Sequence, residues 1–156
     1  MEEVPFFSVD PIAVDGIEER ARLSEAGAVV SFQGVVRADR TQEGNVTALE
    51  FESYEALGEK EVGRILGEVK EKWPGTRLLL QHRLGRVPVG ETSLFLVVSS
   101  PEIPDAFSAC HYVLDQMKSR VPLWKKDVFS DGVSRWSDHH RETMLISDSV
   151  LTYPPS

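Results

Sequence analysis

The sequence predicts a mixed α+β domain with a mainly antiparallel sheet, two long helices and a C-terminal hairpin. Short β-branched segments joined by brief connections favour antiparallel pairing over a repeated βαβ unit. Two longer segments place their apolar residues at helical spacing. With 156 residues, 41% of them hydrophobic and 27% charged, the chain has the size and composition of one globular domain, which we take to span residues 1–156.

The N-terminal segment is expected to form a short strand and a short helix. Residues 6–9 form the strand. Asp15 and Glu18 have the spacing of a capping box, which predicts a helix that begins there and ends near Leu23.

Two strands are predicted next. Residues 28–36 are β-branched and mostly apolar, which predicts a buried strand, and Gly34 within it predicts a bulge or a close backbone approach. Residues 46–54 alternate in side-chain character, which is typical of a half-buried strand. We expect this strand to form a hairpin with the preceding one.

A long amphipathic helix follows, and Pro74 with Gly75 ends it. Residues 77–84 and 92–99 are two more strands, joined by a connection at residues 85–90. The apolar residues of the helix that recur at helical spacing are Val62, Ile65, Leu66, Val69 and Trp73.

The second long helix begins at or beside Asp105 and ends near Arg120, because Pro122 forces the residue before it out of helical geometry. At 100° per residue, Lys118 lies only about 20° from Phe107, at the edge of the apolar face. That face is predicted to carry Phe107, Cys110, Leu114 and Met117.

A hairpin is predicted after this helix. Residues 121–129 are extended, Asp131 and Gly132 favour a tight turn, and residues 133–138 form the return strand. Residues 142–156 show no clear period and are treated as a variable tail.

Charge and composition exclude several classes of protein. The formal net charge is -8, from 25 acidic against 17 basic residues, so a nucleic-acid binder with a broad basic face is not expected. No apolar run approaches the roughly 20 residues of a membrane helix, and the N-terminus lacks the pattern of a secretory signal. The single cysteine, Cys110, cannot form an internal disulfide. We therefore expect a cytoplasmic protein with no membrane partner.

Residues 117–127 carry four cations and one carboxylate in an acidic chain, which predicts an anionic ligand. A lysine at an apolar edge loses hydration, which makes its amine useful as an acid, a base or a nucleophile, so Lys118 and Lys125 are candidates. The alternative is that Lys118 complements a helix C-terminus while Lys125 and Lys126 are solvated strand residues. The chain changes its period between the two lysines, so both interpretations stay open.

Other candidate chemistry is weaker. Arg37 and Arg40 follow a strand directly, where a guanidinium could hold a phosphate through two hydrogen bonds, although two solvated loop arginines would give the same pattern. The four histidines and Cys110 show no metal-ligand spacing, so no metal site is predicted. Phosphate-loop, dinucleotide-binding and Gly-x-Ser-x-Gly motifs are absent from the sequence.

Five segments resemble the large, catalytic subunit of the molybdopterin synthase family. They occur in the family's order over roughly residues 5–140, and the last segment, with its Lys-x-Arg-x-Pro-x-Trp-Lys pattern, is the most specific. The segments are 27–37 (GAVVSFQGVVR), 49–54 (LEFESY), 72–74 (KWP), 82–85 (HRLG) and 118–126 (KSRVPLWKK).

The resemblance implies a hammerhead-like β element in the fold and a homodimer of this chain. It also implies a small ubiquitin-like sulfur-carrier partner with a C-terminal Gly-Gly thiocarboxylate, so that the whole assembly is a heterotetramer. The expected reaction converts cyclic pyranopterin monophosphate to molybdopterin in molybdenum cofactor biosynthesis. No permanently bound cofactor is expected.

The resemblance also implies roles for individual residues. Lys118 and Lys125 are expected to be catalytic, with Lys118 at the thiocarboxylate carbonyl and Lys125 with Arg37 at the pterin phosphate. The substrate-binding positions that match the family are Val35, Val36, Arg37, Lys118, Lys125, Lys126, Asp127 and His140.

The chain departs from the family pattern at two places. Glu102 and Ile103 stand where the family has a His-Arg pair, and His140, followed by Arg141, stands where an arginine is expected. A carboxylate at Glu102 would repel a phosphate, and the missing arginine removes a strong donor. One alternative function is therefore a non-catalytic subunit that binds the small partner, and another is a small-anion-binding module unrelated to pterins.

Overall fold

The computed structural model describes residues 4–135, and three helices and nine strands lie within this range. The predicted mixed α+β fold, with two long helices and a C-terminal hairpin, is confirmed. In chain order the elements are β1 (Phe7–Ser8), α1 (Val14–Arg20), β2 (Ala28–Val35), β3 (Arg40–Thr41), β4 (Gly44–Ser53), α2 (Glu55–Lys72), β5 (Arg77–Arg83), β6 (Gly85–Pro88), β7 (Thr92–Ser100), α3 (Ile103–Arg120), β8 (Leu123–Phe129) and β9 (Ser134–Arg135).

The first sheet has the strand order β1-β5-β7-β2, and only the contact of β1 with β5 is parallel. The helices α2 and α3 cover one face, where Ile65, Leu96 and Val113 are fully buried. The short helix α1 covers part of the other face through Ile17 and Phe95. Each such side chain contributes about 1.5–3 kcal/mol when it is buried, so this layer holds the domain together.

The second sheet is built around β4, which pairs with β6 and with β8 along its middle residues. The short strand β3 pairs with the start of β4, and β9 pairs with β8. A small core of Val36, Phe51 and Val87 packs against this sheet. This is the additional β element of the predicted fold class, and it carries Lys125 on β8.

The chain passes from the first sheet to the second at Gly85, which has a φ of +84°. A side chain is disfavoured in this left-handed conformation, so glycine lets β5 continue directly into β6. The prediction that residues 85–90 are only a connection is therefore wrong. A strand of four residues that includes one glycine and one proline shows too little β pattern to be recognised.

Two predictions about strand neighbours need correction. The expected hairpin between residues 28–36 and 46–54 is wrong, because β2 pairs with β7 and β4 belongs to the other sheet. The burial predicted for residues 28–36 is also wrong for much of β2, which lies at a sheet edge. Val29, Phe32 and Val35 are 40%, 38% and 53% exposed. Side-chain composition alone does not distinguish an edge strand from a central one.

The predicted bulge in β2 is confirmed. The register between β2 and β7 shifts between Gly34 and Val35. The shift turns the end of β2 toward the second sheet, where Val36 joins that sheet's core.

The helix predictions need smaller corrections. The capping box is wrong, because Ala13 is the N-cap of α1 and Asp15 lies in its first turn, and the helix ends at Arg20 rather than near Leu23. In α3, Phe107 is 62% exposed. It lies about 90° from the centre of the buried stripe, which faces both α2 and the first sheet. The buried residues of α3 are Ala106, Ala109, Cys110, Val113, Leu114 and Met117.

The C-terminal hairpin is confirmed as far as Arg135. The backbone N–H of Phe129 donates to the Val133 carbonyl at 3.2 Å, and the N–H of Gly132 donates to the Phe129 carbonyl at 2.8 Å. Residues 136–138 of the predicted return strand, His140 and the tail at 142–156 lie outside the described residues.

Candidate functional site

The candidate site forms where α3 ends and β8 begins. Lys118 lies in the last turn of α3, where the free carbonyl groups favour a cation. The carbonyl of Pro122 accepts hydrogen bonds from Ser53 Oγ at 2.7 Å and from the backbone N–H of Tyr54 at 3.3 Å. These bonds fix the turn between Lys118 and Lys125 against the end of β4.

Lys125 lies opposite Phe51 in the register between β4 and β8, and it is half-buried. Burial lowers the pKa of the Lys125 ammonium below its ordinary value, and the carboxylate of Asp127 opposes part of this effect. A lysine with a lowered pKa supplies a neutral amine, or transfers a proton, closer to neutral pH than an exposed lysine does.

Three more charged side chains act on Lys125. Arg37 lowers its pKa, Asp39 raises it, and Lys118 lowers it. Each of these charges is close enough to Lys125 to shift its pKa, so we group Arg37, Lys118 and Lys125 as one candidate site. We call these three residues the basic cluster. The sequence alone does not show whether these residues lie close together, because the chain changes from helical to extended between the two lysines.

The guanidinium of Arg37 is held by a carboxylate that the sequence-based predictions missed. Its Nε donates to Asp39 Oδ1 at 2.6 Å, and its Nη2 donates to Asp39 Oδ2 at 3.4 Å. The backbone N–H of Val46 donates to the Asp39 carbonyl at 2.8 Å, which ties the loop to β4. The signal that could have identified this pair is the Arg-x-Asp spacing directly after a strand.

A buried histidine, His82, lies near Lys125. Only 4% of its surface is exposed, and its ring contacts Phe51 edge to face with the ring centroids 4.9 Å apart. Its Nδ1 lies 2.6 Å from the Arg83 carbonyl oxygen. Because a carbonyl only accepts, we assign the proton to Nδ1.

The electrostatics of His82 keep it neutral at pH 7. Burial lowers its pKa to about 4, with the hydrogen bond to Arg83 acting in the opposite direction and the charge of Lys125 adding to the decrease. His82 reaches the site because β5 and β4 meet at the junction of the two sheets. No local pattern in the sequence indicates that contact.

The other predicted site residues take different positions. Asp127 is 2% exposed and alternates onto the same face of β8 as Lys125, so it is a buried counter-charge. The side chain of Val36 is 2% exposed and packs in the core of the second sheet, so it supports the site from behind. Val35 is exposed at the end of β2 and is accessible to a ligand.

Lys126 lies apart from the basic cluster. Successive residues of a strand face opposite sides, so Lys126 points away from Lys125. Its Nζ contacts Glu52 Oε1 at 3.3 Å, and Trp124 Nε1 donates to Glu52 Oε2 at 3.0 Å. The structure therefore does not bring Lys126 together with the other predicted substrate-binding residues.

The basic cluster is suited to binding an anion. Its three cations outnumber the two nearby carboxylates, Asp39 and Asp127, and part of the site is shielded from water. The positive charges of Arg37 and Lys118 each lower the pKa of Lys125, as expected for cations that repel one another. A bound anion would relieve this repulsion.

Other kinds of chemistry find less support within residues 4–135. No group of three His, Cys, Asp or Glu side chains in this range could hold a metal ion. Burial raises the pKa of Cys110 to about 11, which keeps the thiol protonated and unsuited to nucleophilic attack. No helix in this part of the chain is long and apolar enough to cross a membrane.

Sequence comparison identifies similar proteins. A family model described as MoaE protein matches residues 7–120. A molybdopterin synthase catalytic subunit from Staphylococcus aureus (strain Mu50 / ATCC 700699) is 36% identical over 133 residues, which are 85% of this chain and 88% of that protein. The molybdopterin synthase catalytic subunit from Thermoplasma volcanium is 38% identical over 117 residues, 75% of this chain and 85% of that protein.

Solved structures share the fold. The crystal structure of molybdopterin synthase from Staphylococcus aureus matches with a TM-score of 0.78 and 34% identity, covering 88% of this chain and 100% of that one. A chain from the complex of subunits 1 and 2 of the Helicobacter pylori molybdopterin-converting factor matches with a TM-score of 0.74 and 23% identity, covering 85% and 89%.

Proposed function

The chain belongs to the MoaE protein family, and we propose that its basic cluster carries out the sulfur transfer of a molybdopterin synthase catalytic subunit. The chain is thus an enzyme of molybdenum cofactor biosynthesis that converts cyclic pyranopterin monophosphate to molybdopterin. The observation that carries the assignment of residues is the meeting of Arg37, Lys118 and Lys125 at one partly buried place.

Lys118 is proposed to act on the sulfur donor. A thiocarboxylate develops negative charge at its carbonyl oxygen when the acyl carbon is attacked, and an ammonium group held nearby stabilises that charge. The backbone of Lys118 is held in place in the last turn of α3, because the turn that follows is hydrogen-bonded to the end of β4.

Arg37 and Lys125 are proposed to hold the phosphate of the precursor. The planar guanidinium of Arg37 offers two parallel donors, whereas Lys125 acts as a compact charge. Burial disfavours the charged form of Lys125, so a bound phosphate stabilises its protonated state. Substrate binding and protonation of Lys125 are therefore coupled.

Two of the positions that depart from the family pattern, Glu102 and Ile103, lie at the other end of α3. The helix runs from Ile103 to Arg120, so Ile103 and Lys118 are about 22 Å apart along its axis at 1.5 Å per residue. Glu102 and Ile103 are both exposed there and do not reach the basic cluster of their own chain. We therefore propose a homodimer in which the N-terminus of α3 in one copy approaches the basic cluster of the other.

The proposed sulfur donor is a small ubiquitin-like subunit that inserts its C-terminal Gly-Gly thiocarboxylate between Lys118 and the substrate. One such subunit on each copy makes a heterotetramer. No permanently bound cofactor is needed in this scheme, because the donor supplies the sulfur and the pterin is the acceptor. The lone Cys110 favours a cytoplasmic location for the reaction.

Reconstitution tests this function. The full-length chain is combined with a thiocarboxylated small subunit and cyclic pyranopterin monophosphate, and molybdopterin is quantified by mass spectrometry. We expect product from the natural sequence. If none forms, while the double variant Glu102→His, Ile103→Arg is active, the catalytic assignment fails for this chain.

A second candidate is a non-catalytic subunit that binds the small partner without binding the precursor. Glu102 favours it, because a carboxylate facing the neighbouring site would repel a phosphate. Calorimetric titration distinguishes the two. Binding of the precursor contradicts this candidate, whereas tight binding of the small subunit with no binding of the precursor supports it.

A further inference from the structure

The Nε–Nη2 edge of Arg37 is already occupied by a carboxylate. Asp39 accepts hydrogen bonds from Nε at 2.6 Å and from Nη2 at 3.4 Å, one on each carboxylate oxygen. A phosphate engages a guanidinium through the same pair of parallel donors. The charge of Asp39 also acts on Lys125, the second residue proposed to hold the phosphate. Asp39 therefore occupies one of the two edges of Arg37 at which an anionic group can bind.

Asp39 is the fixed member of this pair and Arg37 is the movable one. The Asp39 carbonyl accepts the N–H of Val46 at 2.8 Å, and β3 begins at the next residue, so the backbone around Asp39 is tied to β4. The side chain of Asp39 is 22% exposed, whereas that of Arg37 is 69% exposed. An exposed guanidinium on a long side chain can change partners without disturbing the fold.

We propose that Asp39 is an internal competitor for the anion site, and that a phosphate binding the Nε–Nη2 edge of Arg37 displaces Asp39 from it. Exposed ion pairs of this kind shift an equilibrium by at most about five-fold, so the competition is weak enough for a ligand to overcome. A phosphate that engages Arg37 and Lys125 together replaces the lost contact. A ligand that engages only one of the two cations does not replace that contact. Asp39 therefore weakens the binding of such a ligand more than the binding of an anion that engages both cations.

This role deepens the proposed function and depends on it only for the identity of the physiological anion. The test therefore uses inorganic phosphate as the probe, with acetate as the single-carboxylate comparison. The full-length chain is titrated at low ionic strength, and the Nε–Hε resonance of Arg37 is followed by NMR. Asp39→Asn and Asp39→Ala remove the competing charge, and the amide spectrum of each variant reports whether the fold is intact.

The matched control is Glu19→Gln. Glu19 is an exposed carboxylate of α1 that pairs with Arg22 at 3.9 Å, and its neutralisation changes the net charge by the same amount. We expect phosphate to bind both Asp39 variants about two- to five-fold more tightly than the wild type, and acetate to gain at least as much. Phosphate should bind Glu19→Gln with the wild-type affinity, because its charge lies on the far face of the first sheet.

The proposal is overturned if both Asp39 variants bind phosphate no more tightly than the wild type, or if phosphate binds none of the chains. A gain in phosphate affinity without molybdopterin formation in the reconstitution would keep the competitor role and remove the sulfur-transfer assignment. Molybdopterin formation without that gain would remove the competitor role alone.

Discussion

Acidification is expected to destabilise this protein through His82. The pKa of this histidine is about 4 in the folded chain, against an ordinary value of 6.5. Between these two values the unfolded chain binds a proton that the folded chain does not bind. The free energy of unfolding therefore decreases as the pH falls from 6.5 toward 4. The stability that the neutral His82 contributes is fully present above pH 6.5.

The magnitude follows from the two pKa values of His82. At pH 4.5 the loss from this single group is about 2.5 kcal/mol, and below pH 4 it approaches about 3.4 kcal/mol. The physical cause is the position of the ring, which is 4% exposed with Nδ1 committed to the Arg83 carbonyl. A proton on Nε2 would place a second buried charge near Lys125.

Urea unfolding at pH 7 and pH 4.5 measures this loss. Carboxylates also titrate in this range, so the wild type is compared with His82→Gln, which cannot take up the proton. The stability gap between the two chains should narrow by about 2.5 kcal/mol on acidification. The reasoning is refuted if the gap stays constant, or if the ring carbon resonance of His82 titrates near pH 6.5.

Three further predictions concern packing and the turn beside the site. Gly58→Ala should lower the free energy of unfolding by about 1–3 kcal/mol, because its Cβ would lie 2.8 Å from Phe7 Cζ in the core. On the same helix, a Cβ at Gly63 would meet nothing within 4 Å, so Gly63→Ala should raise the free energy of unfolding by about 0.5–1 kcal/mol. Urea unfolding measures both variants, and equal effects would contradict the packing argument. Ser53→Ala removes the 2.7 Å bond to Pro122 and should cost about 1 kcal/mol in stability, and it should also lower the turnover rate, since that turn separates the two lysines. Stability loss with an unchanged rate would show that the turn does not position them.

Much of the fold could be predicted because helices and hairpins are local. The apolar period predicted α2 and α3, and Pro122 correctly placed the end of α3. The neighbours of each strand could not be predicted, because they depend on contacts between distant segments. Residues 28–36 were expected to be buried and instead form an edge strand, and the strand at Gly85–Pro88 was missed because it is short and starts at a glycine.

The candidate site likewise combines residues that could be predicted from the sequence with contacts that could not. Lys118, Lys125 and Arg37 could be nominated from charge and from the family resemblance, since both depend on residue type and spacing. Their convergence depends on β8 pairing with β4, which no local pattern specifies.

The positions of the other residues near the site follow from tertiary contacts. His82 approaches Lys125 only because the two sheets meet at the end of β5. Asp39 is local to Arg37, but the spacing alone does not show that the two side chains bond. Lys126 was nominated because it matches a family position, and strand alternation directs its side chain to the face of β8 opposite Lys125.

The most direct test of the proposed sulfur-transfer site is the rate of molybdopterin formation by four full-length chains. The wild type, Lys118→Ala, Lys125→Ala and Lys126→Ala are each combined with the thiocarboxylated small subunit and cyclic pyranopterin monophosphate. Lys126 is the matched control, because it is the same residue type on the opposite face of the same strand.

We predict that Lys126→Ala keeps a rate within about three-fold of the wild type. Lys118→Ala should be slower by about 100-fold or more, as expected for the loss of a group that stabilises developing charge. Lys125→Ala should be slower by about 10-fold or more at limiting precursor, because it loses a charged contact to the phosphate. A wild-type rate in either of these two variants, or no product from the wild type itself, would contradict the account.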